Sequence, residues 1–507
     1  MILSLKTIIS RINKFPTTNG WSRFITTTTS VSASSVITAT TSFPASSSSS
    51  SFRNRDNTRR SGNAKGYYRH YSSTSTVASS SSSKNNVLND IDPTKLQIIK
   101  VANNDRKTKV PKEELIFGTT FTDHMLEINW NNTSGWETPI IKPYSNLEID
   151  PAASVFHYGL ECFEGMKAYK VQKQKQKRKK EGSSDESDDG NTTDDREEIR
   201  LFRPELNMNR MNKSMERLYL PKFNNTGFLE CIKQLILLDS DWIPTGDGYS
   251  LYIRPTGIST HPYIGVGESK YAKLFVILSP VGPYYSEGLL QPIKLYADTS
   301  NVRAWPFGGT GNTKIGGNYG PTIKPQIELA NSKGYSQILW LFPQLDDTGT
   351  GQIEHYLTEV GTMNLFIYWI NETTGRKELV TAPISRGDIL PGVTRQSIIE
   401  LCQNNNNDDG DEFDDFDVIE TTITMKQVVK ALEDNRLIEI FGSGTAAVIT
   451  PVSTIHYNNV DYQIPCGDDG IAGDLTIKLY KAITDIQYGR NDNNETGIPH
   501  PWSPIIN

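Results

Sequence analysis

The chain has 507 residues, four cysteines and a formal net charge of −6, with 36% of its residues hydrophobic. That length exceeds what one hydrophobic core usually supports, so two packed domains plus non-globular additions are expected. Cys162, Cys231, Cys402 and Cys466 are scattered, without a Cys-x-x-Cys or a metal-ligand spacing; this argues against a disulfide scaffold or a metal site and reads as buried thiols of a reducing compartment.

Residues 1–89 carry eleven basic residues against one acidic residue, Asp56, with Ser and Thr filling much of the rest. They hold too few apolar residues for a core, and the run Met1–Ile9 is far too short to span a membrane. A basic, acid-poor start with Leu3, Leu5, Ile8, Ile9 and Ile12 in an amphipathic pattern reads as a transit peptide over residues 1–71, addressed to the mitochondrial matrix. Arg69-His-Tyr-Ser72 resembles a matrix-peptidase site, and residues 72–89 continue as a Ser-rich segment. The plainer alternative is a low-complexity tail with no address. Because the leader supplies ten net positive charges, the remainder is more acidic than the total suggests. Such a protein offers nucleic acid no electrostatic attraction, so small molecules and a second copy of itself are the expected partners.

From residue 90 onward β-rich runs alternate with helical stretches. Met166–Tyr169 and Ile199–Phe202 read as strands around an insertion at 172–198, where the sequence from Lys170 is first basic and then acidic. Like-charge blocks without apolar residues stay solvated, so a surface loop is expected; a basic patch for an anionic partner is the sharper alternative. Glu205–Leu218 reads as a helix behind Pro204, with Met208, Met211, Met215 and Leu218 at helical spacing as core packing. Further strands are expected at Ser250–Arg254, Lys273–Leu278, Ile293–Ala297, Gln337–Phe342, Leu365–Trp369 and Leu437–Phe441, with a helix beginning near Arg395. Gln403–Phe416, rich in Asn and Asp, reads as a second inserted loop, and the Pro- and Gly-rich Ser279–Gly288 as an interdomain linker. Mixed elements of this kind indicate α+β domains, one over 90–285 and one over 286–507.

Six glycines lie between Gly308 and Gly320 and surround Lys314. Glycine lets backbone pass close to a bound molecule. A phosphate-binding Walker loop requires Gly-Lys followed by Ser or Thr, whereas Lys314 sits between Thr313 and Ile315. A lysine in a tight, partly dehydrated pocket instead suits nucleophilic attack on an aldehyde. With Arg303-Ala-Trp305 ahead of it, this region resembles the cofactor-lysine region of branched-chain amino acid aminotransferases, which are fold-type IV pyridoxal phosphate (PLP) enzymes. Six further segments repeat the resemblance in the family's order: His157–Ala168, Arg200–Met211, Tyr252–Pro255, Thr358–Asn364, Leu390–Ser397 and Ile440–Ala446.

The resemblance implies a smaller N-terminal α/β domain, a larger C-terminal pseudo-barrel domain and PLP in the cleft between them. It implies that Lys314 holds the cofactor and carries a proton between substrate and cofactor carbons, that Glu359 pairs with the pyridine nitrogen, and that Tyr319 bonds the phenolic oxygen. A carboxylate beside the ring nitrogen favours its protonated, electron-withdrawing form. Val393 and Thr394, at a helix start, would offer backbone N–H groups to the phosphate, joined by Arg210 and Thr445; Arg303 matches a further cofactor-site arginine. Phe163, Tyr252 and Tyr284 match an apolar substrate pocket, Thr445 and Ala446 the donors for the α-carboxylate, and Tyr158 with Arg254 the part that receives the distal carboxylate of glutamate. In the resemblance Tyr158 and Arg254 arrive from the partner subunit, which implies a homodimer. The implied substrates are branched-chain amino acids, 2-oxoglutarate and glutamate. A D-amino acid aminotransferase or aminodeoxychorismate lyase shares the lysine and phosphate logic, but Tyr252-Ile-Arg254 and the Phe163–Lys167 run favour the branched-chain group. A catalytically dead binding or scaffold protein is opposed by the intact Lys314, Tyr319 and Glu359. Where some relatives carry a redox Cys-x-x-Cys after the Gly-Ser-Gly-Thr-Ala segment, this chain has Ala447 and Thr450, so that switch is not expected.

Overall fold

The computed structural model describes residues 88–172, 197–284, 290–345, 351–404, 415–491 and 498–507. The transit-peptide reading and most of both insertions lie outside them. The described residues fall within one compact unit, Ser83–Asn507, built on two large sheets.

The first sheet comprises β1 (Gln97–Ile98), β2 (His124–Asn131), β3 (Gly135–Trp136), β4 (Ile140–Pro143), β5 (Glu161–Phe163), β6 (Met166–Gln172), β7 (Glu197–Leu201), β8 (Ser250–Ser259) and β9 (Tyr271–Val281). They run in the order β1-β4-β2-β9-β8-β6-β7, with β3 on β2 and β5 on β8. Two helices pack against it, α2 (Pro204–Arg217) and α3 (Asn225–Leu238), after the single turn α1 (Ser154–Tyr158). Met208, Met211 and Met215 are fully buried with Phe228, Ile232 and Leu235 against Leu126, Ile253 and Leu274. The methionine stripe is core, as its spacing predicts. Asn224 caps α3 by accepting from the Gly227 N–H at 3.0 Å.

The second sheet contains β10 (Ile293–Asp298), β11 (Gln337–Leu345), β12 (Ile353–Val360), β13 (Met363–Ile370), β14 (Lys377–Thr381), β15 (Asp417–Glu420), β16 (Leu437–Gly444), β17 (Val448–Tyr457) and β18 (Val460–Gln463). Its order is β12-β11-β10-β17-β16-β13-β14-β15, and a further pairing of β12 with β13 closes the first part into a ring. Closure removes the strand edges that an open sheet would expose. Leu295, Leu339, Ile367, Ile440 and Val452 pack with Met425 and Val428 of α5 (Met425–Glu433). On another face α4 (Val393–Asn404) and α6 (Asp474–Gln487) bury Ile398, Leu479 and Ile483 against Phe366 and Phe441.

Each strand expected from the sequence is present, and several are longer. β6 and β7 pair through Gln172 and Glu197, so the insertion begins later and ends earlier than 172–198. Lys170 and Glu197 are ion-paired at 2.6 Å, which lets charged residues extend the ladder. Ser279, Pro280 and Val281 belong to β9, which moves the start of the linker to Gly282. Phe416 is buried edge-on to Tyr368, with ring centroids 5.3 Å apart; it is core, not loop. All four cysteines are free and buried. Among the described residues no helix is long and apolar enough to cross a membrane, and no group of His, Cys, Asp or Glu could hold a metal ion.

Candidate active site

A cavity of about 300 Å³ opens between the two sheets, lined from the first by Phe163, Tyr252 and Arg254, from the β5–β6 connection by Gly165, and from the second by Glu359, Asn364 and Ser443. The glycine-rich segment crosses it and is tied down on both sides. The Lys314 N–H donates to Ser214 Oγ of α2 at 2.9 Å, and its carbonyl accepts from the Phe163 N–H of β5 at 3.0 Å. The Asn318 amide donates to the carbonyls of Thr310 and Thr313 and so fixes the loop internally. With its backbone immobilised, half-buried Lys314 donates from Nζ to the Tyr319 hydroxyl at 3.1 Å and lies 4.9 Å from the Phe163 ring centroid.

Arg210 of α2 lies along the same cavity. Its guanidinium forms a two-point fork with Glu164, Nε to Oε1 at 2.7 Å and Nη2 to Oε2 at 2.8 Å, and Nη1 donates to the Pro391 carbonyl at 2.9 Å. Glu164 is fully buried and also accepts from the Asn207 amide at 2.8 Å. Burial pushes its carboxyl up, but the Arg210 charge and these hydrogen bonds outweigh burial and hold it below the usual carboxylate range. The first turn of α4 adjoins this pair, with Gly392, Val393 and Thr394 lining the cavity. A Cβ at Gly392 would lie 2.1 Å from Asn364 Oδ1, so a larger residue there would have to displace the Asn364 amide. N–H groups of a first turn have no intrahelical partner, and the positive end of the helix dipole favours an anion there. The helix starts two residues before Arg395, which brings Val393 and Thr394 into that turn.

Glu359, at the end of β12, is 3% exposed. Its carboxylate takes Arg303 Nε at 2.7 Å and the Leu390 N–H at 2.6 Å. Burial pushes it above the ordinary carboxylate value, while Arg303 and the Leu390 N–H pull the other way. Arg303 stands one layer behind the cavity wall, because Glu359 and the Asp388 carbonyl take its guanidinium. It reaches the site through Glu359.

Phe117, Phe163, Tyr252, Tyr284 and Arg254 form the aromatic side. Alternation along β8 puts Tyr252 and Arg254 on one face, where Arg254 Nη2 donates to the Tyr252 hydroxyl at 3.0 Å and the guanidinium lies 4.7 Å from the Phe163 centroid. Arg254 therefore lines the cavity of its own chain, which corrects the expectation that it arrives from a partner. Tyr158 does not line that cavity; it is 41% exposed and its hydroxyl donates to the Ile264 carbonyl. Thr445 and Ala446 lie in the turn between β16 and β17, and Lys167 Nζ donates to the Ala446 carbonyl at 2.7 Å. Burial pushes the Lys167 ammonium down to about 8. Glu164, Phe117, Asn364 and Ser443 were not singled out from sequence; Glu164, Asn364 and Ser443 carried a signal, since each lies inside a segment of the resemblance, whereas Phe117 lies in none.

Residues 195–455 match the model of the class IV amino-transferases. The chain is 45% identical over 406 residues to a branched-chain-amino-acid aminotransferase of Dictyostelium discoideum, covering 79% of this chain and 93% of that one. It is 44% identical over 402 residues to the mitochondrial branched-chain-amino-acid aminotransferase of Schizosaccharomyces pombe, covering 79% and 84%. In three dimensions it resembles the branched-chain aminotransferase of Thermobaculum terrenum in its PLP form, with a TM-score of 0.52, 18% identity and coverage of 76% of this chain and 99% of that one. The last likeness establishes the fold, that of the fold-type IV enzymes. The chain belongs to the class IV aminotransferases and, within them, to the branched-chain amino acid aminotransferase family.

Proposed function

We infer that the protein is a PLP-dependent transaminase that moves the amino group of leucine, isoleucine or valine to 2-oxoglutarate, giving branched-chain 2-oxo acids and glutamate in two half-reactions at one site. The observation that carries this reading is the convergence of Lys314, Tyr319, Glu359 and Arg210 with the first turn of α4 on a single cavity. The activity is the one named for relatives 44–46% identical to this chain.

PLP, when bound, supplies an electrophilic carbon and an electron sink. The residues fit it. Ser443 Oγ and Arg254 Nε are buried without a partner in residues that line the cavity, and buried polar atoms call for a hydrogen-bonding occupant. Lys314 provides the amine that holds the cofactor and, once free, takes and returns a proton at Nζ. The Tyr319 hydroxyl, 3.1 Å away, orients that amine. Glu359 presents negative charge to a ring nitrogen and so favours its protonated form. Arg210, Val393, Thr394 and Thr445 hold the phosphate. Phe163, Tyr252 and Tyr284 shape the apolar pocket, Thr445 and Ala446 receive the α-carboxylate, and Arg254 receives the second carboxylate of glutamate.

The two sheets correspond to domains over 90–285 and 286–507, and the working form is a homodimer. Phe156, Ile264 and Val266 are 62%, 68% and 84% exposed near Tyr158, an apolar surface that a second copy would cover. The leader directs the protein to mitochondria; both cytosolic and mitochondrial relatives exist, and the support is the basic, acid-poor composition of residues 1–71. Purified protein should show the visible absorbance of bound PLP and convert leucine with 2-oxoglutarate. A substrate panel favouring D-amino acids or aminodeoxychorismate would overturn the assignment, sedimentation as a monomer would overturn the dimer, and a tagged full-length chain that stays in the cytosol would overturn the localisation.

A further inference from the structure

Arg203, which no role in the site requires, stands at the N-cap of α2 with φ 46° and ψ 48°, in the left-handed region. The following residue is Pro204, which favours extended backbone before it, and a non-glycine residue at positive φ is itself uncommon. Such a conformation persists only where the surroundings impose it. Four contacts do so here. The Arg203 N–H donates to the Trp502 carbonyl at 2.8 Å, and the guanidinium lies 4.1 Å from the Trp502 ring centroid. Nη1 donates to Ser397 Oγ at 3.0 Å, and Nη2 meets Glu400 Oε2 at 2.7 Å. Ser397 and Glu400 belong to α4. The strand-like segment that carries Trp502 is itself fixed along β7, through Leu201 N–H to the Pro504 carbonyl and Ile506 N–H to the Ile199 carbonyl.

Two turns further along the same face of α2 is Arg210, whose Nη1 donates to the Pro391 carbonyl just ahead of α4. The order of contacts is reversed along the two helices: Arg203 grips the interior of α4, and Arg210 grips the residues before its start. Two such points set one helix against the other; α4 is also held by Ile398 packing on Phe366 and Phe441 and by Arg395 Nη2 donating to the Ala382 carbonyl at 2.8 Å, so what Arg203 adds is the second polar tie between α4 and α2.

We propose that Arg203 is a positioning residue for the phosphate end of the cavity, holding α4 through Ser397 and Glu400 so that Val393 and Thr394 stay beside Arg210, with Trp502 keeping Arg203 in its strained conformation. None of Arg203, Ser397, Glu400 and Trp502 lines the cavity, so the effect on the ligand is indirect. This rests on the reading of the cavity as a PLP site.

The test uses full-length Arg203→Ala and Trp502→Ala proteins, following the visible absorbance of bound cofactor on dilution of the holoenzyme and then titrating with PLP. If the competent arrangement of α4 falls to a minor fraction, the apparent Kd for PLP rises by the inverse of that fraction, roughly tenfold or more. Arg203→Lys, which keeps the ion pair to Glu400, should recover part of the loss. If Arg203→Ala does not fold, the Ser397→Ala, Glu400→Gln double variant should show the same weakened binding. Folded variants that lower the thermal midpoint but retain unaltered PLP affinity would overturn the proposal. Failure of the unaltered protein to bind PLP would instead overturn the functional reading beneath it.

Discussion

Arg303 Nε and Glu359 Oε2 form an ion pair at 2.7 Å, with both side chains almost closed to solvent. Only one of the two faces the cavity. The arginine acts as the fixed counter-charge of a carboxylate that burial would otherwise protonate. Replacing Arg303 with Ala should therefore move the Glu359 carboxyl further up, and activity that needs it ionised should appear at higher pH than in the unaltered protein. A carboxyl whose folded pKa lies above its unfolded value contributes stability below the unfolded pKa and loses it as pH rises through the folded one. The variant should consequently be destabilised most at neutral and alkaline pH, by about 3–5 kcal/mol for a broken buried pair. A pH–rate profile and denaturant melts at two pH values check both halves.

Lys314→Ala should abolish transamination and the visible absorbance of the bound cofactor together. The mutation removes an amine whose backbone is held by Ser214 and Phe163 and whose Nζ is placed by Tyr319, and among the described residues no other lysine lines the cavity. Residual turnover above about one part in 10⁴ of the unaltered rate would be incompatible with the loss of both the nucleophile and the proton carrier.

Glu164→Gln should leave the cavity shape intact and remove the charge that balances Arg210. Glu164 lies below the usual carboxylate range because Arg210 and its hydrogen bonds outweigh burial. In the unaltered protein its contribution to stability is therefore present above the unfolded carboxyl pKa and is lost as pH falls through the lower folded pKa. The variant should lose about 3 kcal/mol or more near pH 7, where an unpaired guanidinium is left buried, and lose much less at strongly acid pH. Thermal melts from acid to neutral pH measure the difference.

The lysine loop stood out by its glycines, Glu359, Tyr319 and the start of α4 were reached through the resemblance because its motifs are short local segments, and the strand cores were legible as β-rich apolar runs such as Leu365–Trp369, buried along most of β13. The pairing of Glu164 with Arg210 was not, since the two are 46 positions apart and a buried carboxylate looks the same in sequence as a solvated one. Arg303 was legible as a site residue but not as one standing behind Glu359. Strand ends were underestimated where a cross-strand ion pair such as Lys170 with Glu197 lets charged residues stay in the ladder. The side to which Arg254 belongs follows only from the face of β8 that meets the cavity.

Arg254→Ala should separate the two substrate classes. Glutamate must place a second carboxylate where leucine places an isobutyl group, and a buried carboxylate without a partner is strongly disfavoured. Arg254 is the cation on the aromatic side, held over Phe163 and by the Tyr252 hydroxyl, with its Nε unpartnered. Leucine makes no ion pair there, so its loss is limited to packing against the guanidinium plane. The variant should lose kcat/KM for glutamate and 2-oxoglutarate by roughly 2 kcal/mol or more, about thirtyfold, and by a much smaller factor for leucine. Half-reaction kinetics with each substrate alone read the two losses separately. Equal losses would mean that Arg254 supports the Phe163 and Tyr252 rings for every substrate alike.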